Sequence, residues 1–264
     1  METKTLIVGY GITGKNLHKE LKKVNIDLFD KKYDGYLFNP TYNTYDLIFV
    51  CVDTPYKGKD NPCDLSAIHS VIEQWKPKLE SDGVFVIKST LLPGNTRKLA
   101  HKYNVKIVHS PEYYGDTQHC NNFTYNFTIL GGEKKDCIKV QQFLQMCHDA
   151  THTFRIVDYE TAELAKYMEN CYLAMKVSFC NQFYQIAETV GVDYETLREL
   201  FILDPRINPS HTFVYRDMPY WDSHCLNKDV RAIADNQKAE LLLEIIKFNE
   251  KQKCTHDSTT TQIS

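Results

Sequence analysis

The stretch LIVGYGITG, residues 6–14, decides the fold class of this chain. It sets Gly9, Gly11 and Gly14 in the spacing G-x-G-x-x-G, directly after an apolar run and before a helical pattern. In a strand–turn–helix context, the first glycine permits a tight turn and the second lets the backbone approach a pyrophosphate. The third lets the helix pack closely on the strand. The stretch therefore predicts a dinucleotide-binding loop.

The second predicted strand indicates which dinucleotide binds. It reads IDLFD and ends in Asp30, 21 residues after Gly9. A carboxylate at this position accepts hydrogen bonds from the ribose hydroxyls of NAD and repels the 2′-phosphate of NADP, so NAD is the predicted cofactor. The residues predicted to contact it here are Gly9, Tyr10, Gly11, Ile12, Gly14 and Asp30.

The rhythm of apolar segments divides the chain. Short apolar runs alternate with helical periods up to residue 157, which predicts a Rossmann-type, doubly wound α/β domain with a mostly parallel sheet. From residue 158, apolar residues follow a helical period for roughly thirty positions. We predict an NAD-binding domain at 1–157, an all-α central and dimerisation domain with a long helix at 158–252, and a disordered polar tail at 253–264.

Composition narrows the classes of partner. A formal net charge of −3, without a long basic run, gives no electrostatic surface for nucleic acid, so a small-molecule substrate is expected. The sequence shows neither a signal-peptide pattern nor an apolar run of membrane-spanning length, which predicts a soluble, cytoplasmic protein. The nine cysteines are scattered without Cys-x-x-Cys or paired His/Cys spacing, so reduced thiols and no metal site are expected.

Two pairs of polar residues at helical spacing suggest chemistry. Lys166 and Asn170 are four residues apart on the long helix, where an ammonium and an amide can form an oxyanion clamp. Cys225 and Asp229 are also four apart, and a helix start beside Lys228 would favour a thiolate nucleophile. Each pair also has a plain structural explanation, because a lone cysteine is often a small buried apolar residue and a Lys/Asn pair is often a solvated stripe.

Several motifs in this order resemble the nucleotide-sugar dehydrogenase family typified by UDP-glucose 6-dehydrogenase. They are VDTP with DLSAI, KSTLLPGNT, SPEYYGD, AELAKYMENCYLAMKVSFCNQ, VGVD, DPRI and CLNKD, and they extend from residue 6 to about residue 251. The resemblance implies that two NAD molecules oxidise a sugar C6 alcohol to a carboxylate. The reaction would pass through a cysteine thiohemiacetal and a thioester.

The resemblance also implies roles for individual residues. Catalytic roles fall on Cys225 as nucleophile, Lys166 and Asn170 as oxyanion stabilisers, Asp229 as the group that orients water, Glu112 in thioester hydrolysis, and Thr90 near the reacting centre. Further cofactor contacts fall on Val52, Thr54, Pro55, Ser89, Asp116 and Lys228. Arg206 would reach the substrate of a neighbouring subunit, and with the apolar long helix this implies a homodimer.

Two departures from the family pattern bear on the substrate. The family has a glycine-rich run before its cysteine, where this chain has Tyr-Trp-Asp-Ser-His at 220–224, and Asn208 stands where glycine is usual. The added side chains predict a sugar pocket that is reshaped or blocked. The family also continues into a UDP-binding α/β domain, whereas this sequence ends at Ser264. Three alternatives would follow from that difference: a partner chain supplies the domain, the substrate is a smaller sugar, or the activity is weak.

Two other functions remain open at this stage. One is a non-catalytic NAD-binding protein that descends from such an enzyme, which the replaced glycines would favour. The other is a two-electron dehydrogenase of a small hydroxy acid, which would not need Cys225.

Overall fold

A computed structural model describes residues 2–33, 35–114 and 125–263 of the chain, with side chains described up to residue 256. The chain divides into two compact units, the first formed by residues 1–55 and 63–166 and the second by residues 56–62 and 167–264. The division falls nine residues after the predicted boundary at 157. Within the described residues, no helix combines the length and the apolar composition needed to cross a membrane.

The first unit contains one mixed sheet, with strand order β3-β2-β1-β4-β5-β6-β7-β8. The pairs β2/β3 and β6/β7 are antiparallel and the other neighbours are parallel, so the predicted mostly parallel α/β sheet is confirmed. The strands are β1 (Thr5–Val8), β2 (Ile26–Asp30), β3 (Gly35–Tyr36), β4 (Tyr45–Val50), β5 (Leu79–Ile87), β6 (Lys106–His109), β7 (Phe127–Gly132) and β8 (Thr153–Val157).

The helices of this unit follow the strands as the sequence pattern predicts. They are α1 (Ile12–Glu20), α2 (Ser66–Trp75), α3 (Asn95–Tyr103), α4 (Lys134–Gln145) and the first turns of α5 (Tyr159–Val190). The central strands are buried on both faces, as continuous apolar runs such as LIFV in β4 require. The apolar core joins Leu17 of α1 and Phe143 of α4 to the strand residues Ile7, Phe49 and Val86.

The start of α5 is bound tightly to this unit. A Cβ atom on Gly131 of β7 would lie 2.3 Å from the Cβ of Ala162, so only glycine allows strand and helix to approach this closely. The fully buried carboxylate of Glu163 accepts hydrogen bonds from the Gly94 amide (2.6 Å), the Thr96 amide (2.7 Å) and the Thr96 hydroxyl (2.6 Å). Glu163 therefore satisfies amide groups at the N-terminus of α3, which the helix itself leaves unbonded. These contacts explain why the unit extends to residue 166.

The second unit is helical, with the rest of α5 followed by α6 (Tyr194–Phe201), α7 (His224–Gln237) and α8 (Glu240–Ile263). In the sequence, a single helical pattern of apolar residues runs from Asp229 to about residue 251 and predicts one helix. The structure has two, because Lys238 adopts the left-handed conformation (φ +53°) and ends α7.

The structure draws the segment that the sequence predicted as a polar tail as part of helix α8, which extends from Glu240 to Ile263. Polar contacts hold this part of the helix: Lys253 pairs with Asp222 at 2.7 Å, and the buried Gln252 accepts a hydrogen bond from Gln185 at 2.5 Å. The prediction missed these contacts because it considered only apolar packing, and the residues of this segment are polar.

Candidate functional site

The glycine loop has the geometry of a phosphate-binding turn. Gly9 has φ +95°, and a Cβ there would lie 2.3 Å from the carbonyl oxygen of Cys51. A Cβ on Gly14 would lie 2.0 Å from the carbonyl oxygen of Gly9. Gly11 differs, because nothing lies within 4 Å of its Cβ position. Two of the glycines are therefore required by packing, and the third borders open space at the start of α1, where a pyrophosphate fits.

Asp30 lies at the end of β2, beside this loop. Its Oδ2 accepts a hydrogen bond of 2.6 Å from the Tyr10 amide, and its Oδ1 accepts one of 2.8 Å from the Lys32 amide. These bonds fix the carboxylate next to the loop, as ribose recognition requires. The Tyr10 hydroxyl lies 2.8 Å from Nδ1 of His18, and Ile12 is exposed at the first position of α1. The residues of the loop thus fit an NAD molecule.

A second group of predicted residues meets at the carboxyl ends of β4 and β5. Ser89 accepts a hydrogen bond from the Val52 amide (3.1 Å) and donates one to the Val52 carbonyl (2.6 Å). The buried Thr54 donates to the Thr90 carbonyl at 2.8 Å, and Pro55 follows directly. These bonds tie the two strand ends together at the sheet edge where open α/β sheets bind their ligands.

Glu112 follows β6 in a buried polar cluster that sequence reasoning missed. Its Oε1 accepts a hydrogen bond from the Tyr113 amide at 2.9 Å, and its Oε2 lies 3.4 Å from Nζ of the buried Lys88. Burial, opposed by Lys88, raises the pKa of Glu20 in the same cluster to about 7. Burial also lowers the pKa of His109, with a further contribution from Lys88, to about 3. Lys88, the lysine of the KST motif, was the feature of the sequence that could have indicated this cluster, but the prediction did not consider it. Asp116 lies outside the described residues.

In the second unit, the predicted cysteine lies in the first turn of a helix. Ser223 caps α7 by accepting a hydrogen bond from the Leu226 amide at 3.2 Å, and Cys225 is the second residue of this helix and partly exposed. Asp229, only 1% exposed, accepts a hydrogen bond of 2.7 Å from the Asn170 side chain and pairs with Lys228. From the sequence, Asn170 was predicted to belong to an oxyanion clamp, and Lys228 was predicted to contact the cofactor. In this structure both contact Asp229, and their predicted roles stay predictions.

Two other predicted residues lie in different surroundings. Lys166 is buried, and its Nζ lies 4.7 Å from the ring centroid of Tyr113, both residues belonging to the first unit. Arg206, in the second unit, is highly exposed, and its guanidinium binds the neighbouring Asp204 at 2.6 Å. This exposure is compatible with a role toward another subunit and does not test it.

Trp221 anchors the segment of residues 220–224, which precedes Cys225. Its indole donates to the Ser178 hydroxyl at 3.0 Å, its amide donates to Asn249 at 2.8 Å, and its carbonyl accepts from the Asn249 amide group at 2.9 Å. Trp221 is buried. A tryptophan in a polar segment was the available sequence signal, but its partners lie 28 and 43 residues away and could not be inferred.

A Rossmann-type unit with an NAD-compatible loop, followed by a helical unit, defines a class of NAD-dependent dehydrogenases. Residues 16–148 match the UDP-glucose/GDP-mannose dehydrogenase family, NAD binding domain, and residues 160–251 match the central domain of the same family. The chain belongs to the UDP-glucose/GDP-mannose dehydrogenase family, and its first unit contains an NAD-binding domain.

Individual relatives agree with this assignment. An uncharacterised protein of Methanocaldococcus jannaschii is 31% identical over 270 residues, 92% of this chain and 29% of that protein. The UDP-N-acetyl-D-mannosamine dehydrogenase of the same organism is 28% identical over 205 residues, 75% of this chain and 46% of that protein. The chain thus spans less than half the length of either relative.

A solved structure supports the fold. A UDP-glucose dehydrogenase from the hyperthermophilic archaeon Pyrobaculum islandicum matches with a TM-score of 0.79 at 18% identity, covering 95% of this chain and 68% of that chain. At this identity, the match shows that the two proteins share a fold.

The open space at Gly11 gives a direct test of cofactor binding. Gly11 has φ −75°, which alanine adopts without strain, so Gly11→Ala should leave the melting temperature unchanged. The added methyl group occupies the side from which a pyrophosphate approaches, so the dissociation constant for NAD should rise at least about tenfold, as isothermal titration calorimetry can measure. Gly14→Ala is the contrasting variant, and it should also lower the melting temperature. Unchanged NAD binding in Gly11→Ala would contradict this placement.

The raised pKa of Glu20 predicts how stability depends on pH. Its folded-state pKa of about 7 lies above the ordinary value of 4.5, so the folded protein holds this proton more strongly than the unfolded chain. Wild-type stability therefore falls as the pH rises from about 4.5 to about 7. Glu20→Gln mimics the protonated form and should be more stable than the wild type at pH 8, by about 1–2 kcal/mol after allowance for partial solvent screening.

Urea denaturation at pH 4.5 and pH 8 measures this difference. At pH 4.5 the extra stability of Glu20→Gln over the wild type should vanish. A control variant, Glu199→Gln at an exposed position, should change stability little at either pH. An equal gain for Glu20→Gln at both pH values would show that burial of the charged form is not the cause.

Proposed function

We propose that this chain oxidises the primary alcohol of a sugar, carried on a nucleotide or smaller, to a carboxylate. In balance, R–CH₂OH, water and two NAD⁺ give R–COO⁻, two NADH and three protons. NAD supplies the hydride acceptor for both oxidation steps. The single observation that supports the proposal most strongly is the position of Cys225 in the first turn of α7, one turn from the buried Asp229–Asn170 pair.

The local environment of Cys225 suits a nucleophile. The N-terminus of a helix stabilises negative charge through its free amides and its dipole, so it favours the thiolate that attacks an aldehyde. Attack forms a C–S bond and gives a thiohemiacetal. Loss of a hydride and a proton from this intermediate leaves a thioester on Cys225. Water then breaks the C–S bond, releases the carboxylate and restores the thiol.

The polar residues have distinct proposed tasks. Asp229, whose carboxylate accepts a hydrogen bond from Asn170 and pairs with Lys228, is proposed to orient the attacking water. Glu112 is proposed as the base in thioester hydrolysis, and the Lys88 ammonium lies 3.4 Å from its carboxylate. Lys166 is proposed to stabilise the tetrahedral alkoxide as a buried cation. Arg206 and Thr90 are proposed to contact the substrate.

The substrate class follows from the family and from the loop at Trp221. UDP-glucose and UDP-N-acetylmannosamine are the first candidates, because relatives and a structural neighbour are named for dehydrogenases of such sugars. Trp221 is buried in the segment that precedes Cys225, where the resemblance in sequence implies glycines, so we expect this chain to accept a narrow range of sugars.

The test counts NADH released per molecule of substrate consumed, using both UDP-sugars and Cys225→Ser. Wild type should release two NADH, and the variant should lose the four-electron reaction, with kcat lowered at least about 1,000-fold. Cys254→Ser, at an exposed cysteine on α8, is the matched control and should behave as wild type. One NADH per substrate, unaffected by Cys225→Ser, would instead indicate a two-electron dehydrogenase. NAD binding without turnover of any sugar would favour a non-catalytic role.

We also propose that the protein forms a homodimer through α5. In the second unit, an exposed apolar stripe runs along one face of this helix at helical spacing, formed by Met168, Tyr172, Phe179, Phe183, Ile186 and Val190. Contiguous apolar surface of this kind is rare on monomers and typical of an isologous interface.

Light scattering of the purified protein checks the dimer. We expect twice the chain mass for wild type and a shift to monomer for Phe179→Glu, because a charge in the centre of the stripe would be buried without a partner. Leu241→Glu makes the same change at an exposed leucine of α8 outside the stripe, and it should remain dimeric. A monomeric wild type at micromolar concentration would contradict the proposal.

A further inference from the structure

A cavity of about 500 Å³ opens at the edge of the sheet opposite the glycine loop. It lies where β5 and β6 begin, between the end of α3 and the start of α4. Its wall includes Glu80, His101, Lys106, Asp136 and Tyr159, and all of its lining residues belong to the first unit. The proposed oxidation uses none of them.

Most charged groups of the wall already have partners. Lys76 donates a hydrogen bond of 2.7 Å to the Tyr103 carbonyl at the end of α3. Lys106 forms an ion pair with Asp82. Glu80 pairs with Lys4 and also accepts a hydrogen bond from the Thr44 hydroxyl at 2.6 Å. Lys106 and Glu80 therefore already have counterions, and Lys76 has a carbonyl acceptor.

Asp136 differs from these groups. It is only 8% exposed, and among the described residues its carboxylate has neither a hydrogen bond nor an ion pair. Burial raises its pKa, and the positive charges of Lys106 and Lys135 oppose this effect. Glu133, at the N-cap of the same helix, adds a second carboxylate to the wall without a side-chain partner in the described part of the chain. The wall thus contains two carboxylates, those of Asp136 and Glu133, that lack a side-chain hydrogen bond or ion pair among the described residues.

We propose that this cavity binds a small organic cation of the alkylammonium class, with Asp136 as its counterion. A buried carboxylate without a partner is unfavourable, and an ammonium group satisfies it through charge-assisted hydrogen bonds. A volume of about 500 Å³ suits a small molecule, since ligand pockets commonly measure about 300–1,000 Å³. A bare metal ion is disfavoured, because no group of three or more suitable ligands occurs among the residues that the structure describes.

The side chains suggest how such a ligand lies. One ammonium group would contact Asp136 and approach Glu133, while an alkyl chain would lie against the ring of Tyr159. A diamine could place its second ammonium at the open mouth of the cavity, in water. Binding at this site is independent of the proposed oxidation, so either proposal can fail alone.

The test uses 1,4-diaminobutane and, as its neutral counterpart of similar shape, 1,4-butanediol. Each compound is titrated into the full chain while amide chemical shifts are followed by NMR. We expect saturable shifts around Gly83, Asp136 and Tyr159 with the diamine, at a dissociation constant of about 1 mM or lower. The diol should bind at least about tenfold more weakly, because it has no charge.

Matched variants locate the counterion. Asp136→Asn should weaken diamine binding at least about tenfold, and Glu133→Gln should weaken it by a smaller factor. Asp149→Asn, which removes an exposed carboxylate after the other end of α4, should bind as wild type. Absence of saturable shifts up to about 20 mM diamine, equal binding of diol and diamine, or unchanged binding in Asp136→Asn would each overturn the proposal. If Asp136→Asn fails to fold, the diamine and diol comparison on wild type still decides the question.

Discussion

The close approach of backbone segments around the glycine loop is the constraint on which the first unit depends. The oxygens of Cys51 and Gly9 occupy the places where side chains of Gly9 and Gly14 would be. Consequently β1, β4 and α1 can meet only through bare backbone. This contact aligns the carboxyl ends of the strands, and the chain then places Asp30, Ser89 and Thr54 at the same edge. The glycine loop, residues 6–14, thus has to satisfy both the packing of the unit and the binding of the cofactor.

The long helix α5 carries a second constraint of this kind. Glu163 accepts hydrogen bonds from the free amides at the start of α3. Ala162 packs against Gly131, where no larger residue than glycine fits. Because a helix is rigid over several turns, fixing residues 162 and 163 also fixes the direction in which Lys166 leaves the backbone. A buried carboxylate with three donors is stable only while each donor stays in place, so this joint tolerates little adjustment.

The sequence predicted the fold well and the site only in part. The class of sheet, the glycine loop, the long helix and a helix start near Cys225 all follow from local spacing, which sequence displays directly. The break at Lys238 was missed because no glycine or proline marks it, and the helical tail was missed because its contacts are polar. The hydrogen bonds of Asp229 and Trp221 connect residues that are 28–59 positions apart in the sequence, and only folding brings such residues together.

The fixed position of Trp221 has a consequence for the energetics of recognition. A glycine-rich segment samples many backbone conformations, and a ligand that orders it must offset the conformational entropy that is lost. Here three hydrogen bonds and burial of the indole order the segment before any ligand arrives. A substrate that fits would thus bind with a smaller entropic penalty, and one that does not fit would find little capacity to adapt. An anchored aromatic residue in this segment therefore favours preorganisation over breadth of recognition.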